Sequence, residues 1–124
     1  MSVKKRFLRL DSIVAYLQTE IDGDEIFIKY NDEVVAPVES KYIRMTKEPA
    51  PLNVEVELDD SAKWVELELW DYDHFSPNDC LGKFRLFVEE AGEGFAAELA
   101  KDKQAEARYV LNWSVVERKN KSSQ

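Results

Sequence analysis

The chain has 124 residues, 44% hydrophobic and 34% charged, with a formal net charge of -8. That balance belongs to one folded domain and not to a disordered segment. The acidity argues against nucleic-acid binding, which needs Lys and Arg clustered against phosphates, and against unaided adhesion to an anionic bilayer.

No apolar run approaches the roughly 20 residues of a membrane helix, and no secretory apolar region follows Lys4-Lys5-Arg6. Cys80 is the only cysteine, so an internal disulfide is impossible. A reducing, cytoplasmic setting is the expectation. Asn112-Trp113-Ser114 fits a glycosylation sequon, which in that setting is read as chance.

In chain order, the first strand falls within Phe7 to Leu17, before a turn at Asp22-Gly23-Asp24. Ile26, Ile28 and Tyr30 alternate with other residues, as a strand with one dry face requires. Asn31-Asp32 turns the chain into a strand over Val34 to Met45, bent near Pro37. Glu48-Pro49-Ala50-Pro51 predicts the next turn.

Val54 to Leu58 and Val65 to Leu69 alternate valine and leucine with glutamate, separated by Asp59-Asp60-Ser61. Trp64 and Trp70 share the parity of Glu66 and Glu68, so they fall on the wet face, either packed under loops or forming an interaction surface. Phe84, Leu86 and Val88 alternate again, as do Tyr109, Leu111, Trp113 and Val115. Phe95 and Leu99, four apart among alanines and charges, predict one short helix near 94–103. The sum is an all-β, antiparallel, eight-stranded β-sandwich. It forms one domain over 1–118 with a frayed tail over 119–124.

Little here suggests catalysis. His74 is the only histidine, and no nucleophile elbow or Gly-rich phosphate loop is present. A zinc site would need more Cys and His than one of each. The chain is read as a non-enzyme. An EF-hand also fails: counting from Asp71, Phe75, Ser76 and Gly82 stand where an oxygen ligand, Gly and Glu are required.

The chemistry concentrates between Trp70 and Phe84. Asp71-x-Asp73 places two carboxylates on the same side of an extended chain, because side chains alternate with period two. Asp79 follows after five residues, enough for the chain to turn back. Three carboxylates with backbone carbonyls suit calcium, which takes 6–8 oxygen ligands in irregular geometry. The plainer reading is a solvated turn capped by aspartates.

The stretch from Trp70 to Phe84, WDYDHFSPNDCLGKF, resembles the third calcium-binding loop of C2 domains. Asp24 to Tyr30 resembles the strand that follows that family's first loop, and Tyr109 to Trp113 its closing strand. The resemblance implies calcium held between end loops by Asp71, Asp73 and Asp79 from the third loop and Asp24 from the first. Gln18 stands where the first-loop aspartate belongs, Asp22 or Glu20 being possible substitutes through a shifted loop, and Glu25 replaces the usual proline.

It further implies docking onto a protein partner or a phospholipid membrane. Phe75 would be the inserting tip and His74 its exposed neighbour, the alternative being a Phe75 ring folded back over the loop. Lys41, Arg44 and Lys47 are flanked by Glu39 and Glu48 in place of the lysine run of relatives that bind anionic lipid. The alternative function is therefore a calcium-independent structural or interaction sandwich whose site is degenerate.

Overall fold

The computed structural model describes residues 4–17, 23–101 and 108–119. Ten strands are present among these residues: β1 (Lys4–Leu17), β2 (Glu25–Tyr30), β3 (Glu33–Ala36), β4 (Ile43–Arg44), β5 (Ala50–Glu57), β6 (Trp64–Asp71), β7 (Asp79–Phe87), β8 (Gly92–Glu98), β9 (Ala100–Lys101) and β10 (Arg108–Lys119). They form two antiparallel sheets, one ordered β5-β1-β10-β8 and the other β3-β2-β6-β7-β9, with β4 also paired to β2.

The period-two pattern is what builds the core. Val65, Leu67 and Leu69 of β6 and Phe84 and Leu86 of β7 point inward, as do Tyr109, Leu111, Trp113 and Val115 of β10 and Leu8, Leu10 and Ile13 of β1. Burying these side chains between two sheets is the main driving force for the fold. The intervening Glu66, Lys83 and Arg85 stay outside and form ion pairs across β6 and β7.

The all-β sandwich expected from the sequence is present, with three corrections. The segment near 94–103 is not a helix where it is described: β8 pairs with β10, and β9 with β7. A spacing of four residues satisfies both the helical and the strand period, and the Phe95 ring packs tilted against Trp113 with centroids 4.6 Å apart. Gly92 and Gly94 also disfavour a helix. The expected strand over Val34 to Met45 is interrupted after Ala36 and resumes as β4. Ten strands are present among the described residues where eight were expected.

The turn expected at Glu48 to Pro51 is shorter, because β5 already begins at Ala50. Pro51 is tolerated there since β5 is an edge strand. Asn31 and Asp32 both take positive φ, 51° and 64°, closing β2 onto β3 as a two-residue hairpin. Strand β10 runs to Lys119, one residue past the expected domain end, and 120–124 lie outside the described residues.

A bulge fixes how β7 leaves the acidic loop. Register shifts between Leu69 and Trp70, so that Trp70 faces Cys80 and Leu69 faces Gly82. Gly82 has φ 152°, and a Cβ there would collide with the Ala100 carbonyl of β9. Gly82→Ala is expected to cost roughly 1–3 kcal/mol, read as a lower urea midpoint with the m-value unchanged.

Candidate functional site at the 72–79 loop

The loop between β6 and β7 is anchored by Asp24 and Glu25, where the chain enters β2. Asp24 is fully buried, and Tyr109 Oη of the opposite sheet donates to its Oδ2 at 2.6 Å. The Asp24 carbonyl accepts the Met45 amide at 2.8 Å, fixing the segment that includes β4. The Glu25 amide donates to Asp71 Oδ1 at 3.2 Å, and its carbonyl accepts from the Tyr72 amide at 2.6 Å. Two consecutive residues thus tie both sheets and the start of the loop together.

The Glu25 side chain holds the loop from the side. Its Oε2 lies 3.1 Å from His74 Nε2 and 3.5 Å from Arg44. His74 above all, then Tyr42 and Arg44, hold the Glu25 carboxyl below its ordinary range, because each favours the charged form. The His74 ring sits edge-on to Tyr72 and Tyr42, with centroids 4.9 and 5.7 Å away, while Tyr42 and Tyr72 stack at 5.2 Å. His74 is therefore half-exposed and bonded, not simply free in solvent.

Asp73 builds the tip. Its Oδ1 accepts the amides of Phe75 and Ser76 at 2.9 and 3.1 Å, and its Oδ2 accepts Ser76 Oγ at 2.6 Å. The Asp73 amide donates in turn to Asn78 Oδ1 at 2.8 Å, closing the loop. This is the aspartate turn motif, in which a side chain binds backbone amides that no strand satisfies. The Ser76 hydroxyl, followed by the Phe75 amide, lowers the Asp73 pKa. At the apex Phe75 is 100% exposed, so its ring is not folded over the loop.

The four described candidates thus have separate duties. Asp24 and Asp71 are buried at the anchor, Asp73 is at the tip, and exposed Asp79 pairs with Asp71 in strand register. Among the described residues, no three His, Cys, Asp or Glu side chains gather so as to hold one metal ion. Oxygens of Asp24, Asp71 and Asp73 accept from Tyr109, the Glu25 amide and the Ser76 hydroxyl respectively. Asp22, Gln18 and Glu20 lie outside the described residues.

Sequence reasoning missed Glu25, Tyr42 and Tyr109 as parts of the site. Tyr109 reads only as a core residue, and nothing local signals that its hydroxyl reaches Asp24. Cys80 is half-buried.

Tyr109→Phe removes a donor from a buried carboxylate and is expected to destabilise by about 1–3 kcal/mol, measured by urea unfolding. The Asp73 bonds carry their own pH dependence. A carboxyl whose folded pKa lies below its ordinary value of 3.8 contributes order that is complete above that value. That order is lost as pH falls through the folded value. The Phe75 and Ser76 amide signals in an NMR titration are therefore expected to move with a midpoint below 3.8, and to lose that transition in Asp73→Asn.

No family model matches the sequence, and no curated protein matches it. Among solved structures, the chain is similar to C2 domain A of plant extended synaptotagmin 1, with a TM-score of 0.63 and 16% identity over 95% of this chain and 96% of that one. It is also similar to human GIVD cytosolic phospholipase A2, with a TM-score of 0.58 and 14% identity over 97% of this chain but 17% of that longer one. Likeness at this identity establishes the architecture, and the two sheets and their end loop agree with it. The chain has the fold of a C2 domain.

Proposed function

We propose that this chain is a non-enzymatic docking module. It seats the tip of its 72–79 loop, Phe75 foremost, in an apolar target: a bilayer interface or a partner's pocket. Calcium is not required. The observation that carries this reading is a wholly exposed Phe75 on a loop whose shape Asp73 already determines. In a calcium-built loop the ion gathers the carboxylates; here amide and hydroxyl donors take that part. A loop ordered before docking avoids much of the entropy cost of ordering it on contact.

Burying one Phe side chain contributes about 1.5–3 kcal/mol, so the docking is weak and reversible unless a second contact assists. No helix of the described residues is long and apolar enough to cross a membrane. One structural neighbour is by name a phospholipase, which supports lipid as the apolar target. The net charge of -8 favours a zwitterionic over an anionic surface. Calcium-gated docking is the competing reading, supported by the likeness of Trp70 to Phe84 to the third C2 loop.

Sedimentation with phosphatidylcholine vesicles separates the two readings. Binding is expected to be equal in calcium and in chelator and to fall in Phe75→Ser. The melting temperature is expected to stay unchanged at millimolar calcium. A ligand at about 100 times its Kd would add roughly 2.7 kcal/mol, several degrees for a domain this size. Such a shift, joined to binding only with calcium, would establish the calcium-gated reading. Vesicle binding indifferent to Phe75→Ser would remove the tip from it.

A further inference from the structure

Each sheet of the sandwich ends in two edge strands, whose outward amides and carbonyls have no neighbouring strand to bind. Three of the four edges are blunted. Strand β3 has four residues and stops before Pro37, β9 has two, and β5 carries Pro51 and a register shift at Asn53, whose φ is 52°. Strand β8 is different. It closes the four-stranded sheet with seven residues, Gly92–Glu98, none of them Pro, Lys or Arg. Its own register shift lies early, around Gly94, where φ is 74°, and from Phe95 to Glu98 the pairing with β10 is regular.

One bond shows which way its backbone groups point. The Leu99 amide donates to the Tyr109 carbonyl at 3.0 Å, and in an antiparallel ladder the bonded positions alternate along the strand. Phe95 and Ala97 therefore turn their amides and carbonyls to β10, while Ala96 and Glu98 turn theirs to the free side. No described residue bonds to these four groups. Ala96 and Glu98 are exposed, and a Cβ added to Gly94 would meet nothing within 4 Å, so the edge is sterically open. On the inner face Phe95 and Ala97 are only half-buried, as befits a sheet that stops one strand short of covering them.

Charge indicates the occupant. Glu89, Glu90, Glu93 and Glu98 fall within ten residues that contain no Lys or Arg, and all four are exposed. Glu93 approaches Arg9 at 3.7 Å, but that guanidinium is held closer by Asp11 at 2.7 Å. We propose that the free edge of β8 takes an extended, basic segment of a partner protein as a fifth strand. Such a strand sets Lys or Arg beside Glu98 on the outer face and apolar side chains beside Phe95 and Ala97 on the inner one. Period two does the sorting: a segment that alternates basic and apolar residues satisfies both faces at once. A second copy of this chain fits less well, because pairing β8 with itself crowds the glutamates of both copies onto one short ladder. The site lies in the other sheet from the 72–79 loop and does not depend on docking by Phe75.

The test is fluorescence anisotropy with a fluorescein-labelled peptide that alternates Lys and Val. Two controls accompany it: a Glu–Val counterpart, and the Lys–Val peptide with every backbone amide N-methylated, which keeps the charge but cannot donate to a ladder. Saturable binding is expected for the Lys–Val peptide and for neither control. Glu98→Lys is expected to weaken it about threefold or more. Ala96→Pro is expected to weaken it about tenfold: the Ala96 amide points away from β10, so proline removes no bond of the existing sheet and sets its ring on the free edge. Phe75→Ser is expected to leave binding unchanged. A melt of each variant confirms folding, and exposed Glu98→Lys carries the test if the proline variant does not fold. Bound peptide is also expected to slow hydrogen exchange at the Ala96 and Glu98 amides. The proposal is overturned if the Lys–Val peptide fails to bind, if the N-methylated peptide binds as well, or if Glu98→Lys keeps its affinity. Unchanged exchange at both amides overturns it too, as does self-association of the chain that Ala96→Pro abolishes.

Discussion

Asp24 and Glu25 form the junction on which the end of this sandwich depends. Strands hold their own sheets through regular ladders, but little in a ladder ties one sheet to the other or supports a connecting loop. The bond from Tyr109 to buried Asp24 spans the sheets, and the Glu25 backbone takes hold of Asp71 and Tyr72. The Glu25 carboxylate then reaches His74 and Arg44. A buried carboxylate is costly unless donors satisfy it, so the junction tolerates few substitutions. The geometry of the loop follows from it.

That junction also decides the chemistry of the acidic loop. Three carboxylates that could converge on a cation, those of Asp24, Asp71 and Asp73, accept from protein donors. Asp73 shows this most clearly, since both of its oxygens accept bonds from the tip they support. The result is a loop with fixed shape and an apolar apex.

The same scaffold separates two kinds of surface. The loop apex offers a single aromatic ring, suited to shallow insertion. The free edge of β8, in the other sheet, offers backbone donors and acceptors among glutamates. The outer face of the six-stranded sheet is different again: Arg85 covers Trp64 at 4.5 Å, and Glu66 pairs with both Lys83 and Arg85. Both tryptophans lie on that face, and Lys29 covers Trp70 at 4.8 Å.

Much of this was legible in the chain itself. Alternation in Val65 to Leu69 and in Tyr109 to Val115 determined which side chains are buried, because a strand sends neighbours to opposite faces whatever its partners are. The turn at Asn31-Asp32 was a local matter as well. Segment 94–101 was not legible, since a spacing of four fits helix and strand alike and only pairing with β10 and β7 decides it. Nor were the duties of the aspartates. Spacing brings Asp71, Asp73 and Asp79 near one another, but the atom each oxygen accepts from depends on residues such as Tyr109, which lies 85 positions from Asp24. The sequence by itself determined a sandwich with an acidic, aromatic-tipped loop. Tertiary structure alone decided that Asp24 and Asp71 accept from Tyr109 and the Glu25 amide, because the fold and not the chain brings those partners near.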